Sequence, residues 1–144
     1  MKNLKIVIIA FMIILGFSCE NDLNNAPEFL ISKKWILLGF LNNETEVDEC
    51  KPDNLKEMNI EFNDANRFHA VSSCNYFHGY YLINHNCIKI DSLFSTYMYC
   101  INDTIRTWEE KYFKGLKNAV TFNFTGDTLA INTNSNIVMI FRAE

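Results

Sequence analysis

Four side chains near the middle of the chain are of types that could do chemistry together. Cys74, His78, His85 and Cys87 put two thiols and two imidazoles within fourteen positions, and zinc favours that ligand set. The spacing matches no zinc finger, and His85 falls in Asn84-His85-Asn86, which reads as a solvent-facing turn. The sequence therefore calls for no metal and no cofactor. A cysteine could also act as a nucleophile, but no acyl-enzyme signature surrounds any of the five. The carboxylates of Glu109 and Glu110 are neighbours, and neighbours on a helix point in different directions. They cannot share one proton or flank one bond, so both are expected on a solvated face. No catalytic residue is assigned, and the chain is not expected to be an enzyme.

The elements that must position these groups are mostly strands. A length of 144 residues suits one domain. Two prolines and five glycines argue against a disordered or collagen-like chain. A net charge of -4 argues against a nucleic-acid binder. Trp35 to Leu41 is an apolar, aromatic run that reads as a strand, and Asn42 to Asp53 reads as a long loop. Asn59 to Phe62 and Arg67 to Ser72 flank the turn Asn63-Asp64-Ala65-Asn66 and form a hairpin. Gly79 to Ile83 and Cys87 to Ile90 form a second hairpin. Ile105, Trp108, Tyr112, Phe113 and Leu116 recur on one face of a helix capped by Asp103 or Thr104. Three short strands follow, Ala119 to Phe124, Thr128 to Asn132 and Ile137 to Arg142. The fold class is mainly β (α+β): a small antiparallel sheet curled toward a barrel, with one packed helix.

The first residues read as a leader. Lys2 and Lys5 precede an unbroken apolar run from Ile6 to Phe17, too short for a comfortable membrane span of about 20 residues and suited to a secretory signal. Gly16-Phe17-Ser18-Cys19 resembles the lipobox of a bacterial lipoprotein. That resemblance implies a signal peptide over 1–18, diacylglycerol on the Cys19 sulfur and acylation of the new amino end. It also implies a lipid-anchored place in the cell envelope of a Gram-negative bacterium, at the outer membrane. Two or more acyl chains hold a protein on a bilayer where one would not. Residues 19–32 are expected to form a tether and 33–144 the domain. Removal of 1–18 takes two lysines and no acid, so the net charge moves from -4 to -6.

Cys19 leaves four cysteines, Cys50, Cys74, Cys87 and Cys100. In an oxidising compartment four cysteines form two disulfides, and three connectivities are open. Tyr76, Phe77, Tyr80 and Tyr81 cluster in the same region, as core packing or as a contact surface.

Cys74-Asn75 followed by Gly79 and Tyr80 or Tyr81, then Ile88 and Ile90, Thr96-x-Met98-x-Cys100, the helix with Glu109, Tyr112 and Leu116, Gly126 to Leu129, and Ile140-Phe141 form an ordered series. From Trp35 to Phe141 the chain resembles the META/HslJ family. The resemblance implies a barrel-like β fold with one helix, an association with envelope and stress phenotypes, and no established catalytic residues. It also implies the pairing Cys74–Cys100, since both lie in family motifs, which leaves Cys50–Cys87. The family carries glycine before the Cys-Asn pair, where this chain has Ser72 and Ser73; serine tolerates positive φ poorly. The expected role is a non-catalytic, lipid-anchored envelope protein in integrity or stress tolerance. The alternative is a binding or inhibitory module that captures a protein or glycan through the Ser72–Gly79 loop, with Asn75, Tyr76, Phe77 and His78 as contact residues.

Overall fold

The computed structural model describes residues 26–45 and 47–144; the expected leader, the expected lipidation site Cys19 and the first part of the expected tether lie outside them. The described elements run α1 (Glu28–Ile31), β1 (Lys34–Asn42), β2 (Val47–Cys50), β3 (Asn59–Phe62), β4 (Arg67–Val71), β5 (Tyr76–Asn84) and β6 (Cys87–Ser95). They continue with α2 (Asp103–Lys117), β7 (Ala119–Thr125), β8 (Thr128–Thr133) and β9 (Ile137–Ala143). All strand pairings are antiparallel, and β1 pairs with β9 as well as β3, so eight strands close into a barrel. The ninth, β2, pairs only with the second half of β1 and lies outside the ring.

Alternation of side chains explains the closure. Along β5, Phe77, Gly79, Tyr81 and Ile83 face inward while Tyr76, His78, Tyr80 and Leu82 face solvent. The inward set joins Trp35, Leu37, Phe40, Ile60, Phe68, Leu129 and Phe141 in one core. Burying each such side chain contributes roughly 1.5–3 kcal/mol. A glycine is required at position 79, because a Cβ there would sit 1.7 Å from the Ser92 carbonyl oxygen. The neighbouring register shift at Tyr80/Tyr81 bends β5 against β6 at that point.

Helical elements cover the two ends of the barrel. Near Trp35, the single turn α1 inserts Leu30, which is fully buried, and its carbonyl accepts the Trp35 indole N–H at 2.9 Å. Phe29 packs edge-on against Trp35 and Phe124. Residues 28–31, placed in the expected tether, thus pack against the barrel. Near Phe40, α2 lays Trp108, Tyr112 and Leu116 over the barrel; Trp108 meets Phe40 at 5.2 Å, and the Tyr112 hydroxyl donates to the Asn59 carbonyl at 3.0 Å. Burial pushes the Tyr112 phenol well above its ordinary pKa. The cap of α2 is Asn102, not Asp103 or Thr104: its Oδ1 accepts the Thr104 and Ile105 N–H groups at 2.8 and 3.2 Å.

Three further expectations change. The loop expected over Asn42–Asp53 contains β2, whose sequence Val-Asp-Glu-Cys lacks an apolar alternation because it pairs along one edge outside the core. The second hairpin is longer at both ends, beginning at Tyr76 and ending at Ser95. Cys50 is an exposed free thiol, so Cys50–Cys87 is not formed. The geometry forbids it: Cys50 lies on β2 against β1, and Cys87 opens β6, four strands from β1 in either direction around the ring.

Candidate functional site

The connection between β4 and β5 and the connection between β6 and α2 meet beside α2, and one side chain joins all three. Asn75 is 5% exposed. Its Oδ1 accepts the Thr96 hydroxyl and the Met98 backbone N–H, both at 2.8 Å. Its Nδ2 donates to Glu109 Oε1 at 2.5 Å and to the Met98 carbonyl at 3.3 Å. Glu109 Oε2 accepts the Asn75 backbone N–H at 2.8 Å and the Ser72 hydroxyl. Ser72 in turn closes the turn, its N–H donating to the Asn75 carbonyl at 2.9 Å. Neither Ser72 nor Ser73 adopts positive φ, so the serines that replace glycine are accommodated, and Ser72 adds a hydroxyl to the network.

The disulfide Cys74–Cys100 locks the same two connections, with Cα atoms 6.0 Å apart. This is the pairing that the family resemblance implied. Glu109 Oε1 lies 3.6 Å from the Cys100 sulfur. Thus Glu109 is partly buried and turned toward the loop, while its neighbour Glu110 is exposed and pairs with Lys114 at 2.6 Å. That lysine holds the Glu110 carboxyl below its usual pKa. The expectation of a solvated face holds for Glu110 and fails for Glu109.

The clamp fixes an irregular segment in an alternating way. Asn75 holds the Thr96 hydroxyl and the Met98 backbone, and the disulfide holds the buried Cys100, while the Met98 side chain stays 50% exposed. Tyr97, Tyr99 and Ile101 point out, with relative exposures of 104%, 83% and 89%. Between this ridge and α2 lies a cleft of about 460 Å³ floored by Asn75, Phe77, Cys100 and Glu109 and walled by Arg106 and Phe113.

The contact residues expected from sequence do not form one surface. Asn75 is the buried tie just described. Phe77 is in the core against Tyr112 and Phe113, at 5.7 and 5.4 Å. Tyr76 and His78 stand on the outer face of β5, where Tyr76 stacks on His69 and His78 on Phe94. The loop is therefore Ser72–Asn75, and the residues after it are strand. Nor do Cys74, His78, His85 and Cys87 converge. Cys74 is in the disulfide, His85 caps its turn at φ 54° beside Asn84, and His78 lies on the sheet face. Among the described residues, the one group of three close enough to hold an ion is Cys74, Cys100 and Glu109. The ridge was missed in sequence; its signal was the alternation of Tyr97, Tyr99 and Ile101 with Thr96, Met98 and Cys100 in a stretch without strand boundaries.

Known structures share this architecture. An NMR structure of a protein from Burkholderia xenovorans superposes with a TM-score of 0.67 at 14% identity, covering 86% of this chain and 95% of that one. A second NMR structure gives 0.63 at 18% identity, over 83% and 95%. The crystal structure of a DUF4847 family protein from Bacteroides vulgatus gives 0.60 at 14% identity, over 80% and 94%. At these identities the likeness is one of fold. No curated protein matches the chain. The model of the META domain matches residues 32–144, and with most of its length so covered the chain belongs to the META domain family.

Proposed function

We propose that this chain is a lipid-anchored, non-catalytic protein of the bacterial cell envelope, whose META domain supports envelope integrity by binding a protein partner. Acyl chains on Cys19 hold it at the outer membrane. The observation that carries the binding reading is the clamped ridge. A disulfide, the buried Asn75 and Glu109 fix a segment whose outward side chains, Tyr97, Tyr99 and Ile101, pack on little of their own domain. Exposed aromatic residues held in place lose little entropy on contact, which is how binding surfaces gain affinity. The occupant is an apolar patch on a neighbouring envelope protein. Ala26 leads into α1 at the Trp35 end, whereas the ridge lies beside α2 at the other end, so a chain tethered through its amino end presents the ridge away from its own bilayer.

Two measurements test the two halves. Cys19→Ala should move the protein from the membrane to the soluble fraction; retention in the membrane refutes lipid anchoring. A photo-crosslinking side chain at position 97 should trap one discrete protein adduct in cells, and Tyr99→Ser should abolish it. The same probe at Val120, on β7, should trap nothing. Equal crosslinking from both positions refutes the ridge as the contact.

A further inference from the structure

Around the disulfide, three interatomic distances match edges of a metal tetrahedron. A zinc ion with sulfur at about 2.3 Å and oxygen at about 2.1 Å sets sulfur–oxygen edges of about 3.6 Å. Glu109 Oε1 stands 3.6 Å from the Cys100 sulfur, and the Met98 carbonyl oxygen stands 3.7 Å from each of the two sulfurs. The sulfur–sulfur edge is shorter, because the two atoms are bonded, and the Cys74 sulfur and the Glu109 carboxylate lie within 4.8 Å of each other. Zinc would open the sulfur–sulfur edge to about 3.8 Å, and the Cα separation of 6.0 Å leaves room for that. The carboxylate is oriented by a second interaction: Asn75 Nδ2 donates to the same Oε1 at 2.5 Å, the kind of outer partner that positions metal ligands. The cleft beside α2 reaches Cys100 and Glu109 and gives an ion its way in.

We propose that the reduced form of this chain binds one zinc ion through Cys74, Cys100, Glu109 and the Met98 carbonyl, so that the same two connections are closed by a disulfide or by a metal. The steps balance with a thiol reductant. Two equivalents of R–SH cleave the sulfur–sulfur bond, giving two protein thiols and R–S–S–R. Zinc then displaces both thiol protons to solvent and binds the thiolates. Met98 is held by Asn75 in both states, so the ion keeps Tyr97 and Tyr99 on display when the disulfide is open. This site is separate from the membrane anchor and needs no partner.

The test uses the full chain reduced anaerobically with a phosphine and titrated with Co²⁺, then with Zn²⁺ in competition with a chromogenic chelator. One equivalent of Co²⁺ should give a tetrahedral spectrum with thiolate-to-metal charge transfer from two sulfurs. Zinc affinity should fall at least 100-fold in Cys74→Ser and in Cys100→Ser. Glu109→Gln, which keeps both thiols, should lose about 10-fold or more, with its fold checked by circular dichroism in the oxidised form. The oxidised wild type should show no charge-transfer band. Unchanged affinity in the Cys74→Ser/Cys100→Ser double variant would place the ion on other cysteines and overturn the proposal. So would wild-type affinity in Glu109→Gln, or no binding by the reduced chain. None of these outcomes bears on crosslinking at the ridge, which is read on the oxidised protein.

Discussion

Glu109→Ala should destabilise this domain far more than its position on a helix surface suggests. The carboxylate accepts from the Ser72 hydroxyl, the Asn75 backbone N–H at 2.8 Å and Asn75 Nδ2 at 2.5 Å. A hydrogen bond to a carboxylate contributes about 1.5–3 kcal/mol, and a buried donor left unpaired costs about 1–3 kcal/mol. Asn75 is 5% exposed, so neither of its donors regains water easily, though Nδ2 keeps the Met98 carbonyl at 3.3 Å and the backbone N–H keeps the Ser72 hydroxyl oxygen at 3.1 Å. Because Glu109 itself is only partly buried, water entering its place recovers part of the loss, and the net cost should be about 3 kcal/mol. Glu109→Gln should cost about half as much. The Ser72 hydroxyl can reverse and accept from the new amide, but the amide nitrogen cannot accept from the Asn75 backbone N–H. Urea denaturation of the oxidised protein at neutral pH measures this. With a slope of about 1.5–2 kcal/mol/M, the midpoint for Glu109→Ala should drop by about 1.5–2 M. Glu110→Ala, one residue along and exposed, should leave the midpoint unchanged. Equal midpoints for the two alanine variants would refute the tie through Asn75.

Four other outcomes follow from the structure. Opening the Cys74–Cys100 bond, which spans 26 residues, should cost about 3.5 kcal/mol by loop-closure entropy. Peptide mapping after alkylation without reductant should find Cys50 modified and Cys74 and Cys100 protected; an alkylated Cys100 would contradict the pairing. Burial of the Tyr81 ring pushes its phenol up to about 12, and the hydroxyl donates to the Asn63 carbonyl at 2.6 Å. Between the ordinary phenol pKa near 10 and that value the folded chain holds a proton the unfolded chain has lost, so stability falls as pH rises there. Tyr81→Phe should be less stable at pH 7 by about 1 kcal/mol for the lost bond and should show a shallower decline above pH 10; an unchanged slope sinks the reasoning. Gly79→Ala should prevent folding, since its Cβ meets the Ser92 carbonyl oxygen at 1.7 Å, whereas Gly126→Ala, at φ 59° with open space around it, should cost only about 1 kcal/mol. Thermal melts rank the two, and parity between them would be inconsistent with the backbone contact.

The barrel was readable where alternation is clean and obscure where solvent-facing residues are aromatic. β3 and β4 alternate plainly about a polar turn, and β7 to β9 carry recognisable turns, so their bounds are met within a residue or so. β5 begins earlier than expected because Tyr76, His78 and Tyr80 face solvent while Phe77 and Tyr81 face the core. Both faces look apolar, and composition cannot tell them apart. In β2, Asp48, Glu49 and Cys50 are all exposed, so no burial alternation marks them as a strand. Leu30 looked like part of a tether because a single helical turn is too short for periodicity to show. Glu109 looked solvated because local spacing says which face of a helix a residue is on, not that a loop from Ser72 to Asn75 will arrive over that face. The ridge escaped for the same reason: what holds Met98 is Asn75, 23 positions away.

The closing seam between β1 and β9 governs when the protein can fold. Leu37 pairs with Phe141, about a hundred residues later, so the first barrel strand waits for the last one. Such a topology has high contact order and folds slowly relative to helical domains. Until β9 arrives, β1 and β8 each present an unpaired edge, a template for joining another chain. Under the proposed export, amino end first, the topology would keep the chain open until its last strand had crossed. Loss of the final seven-residue strand, Ile137–Ala143, would leave two sticky edges instead of a slightly smaller barrel, and should yield aggregates, not a destabilised monomer.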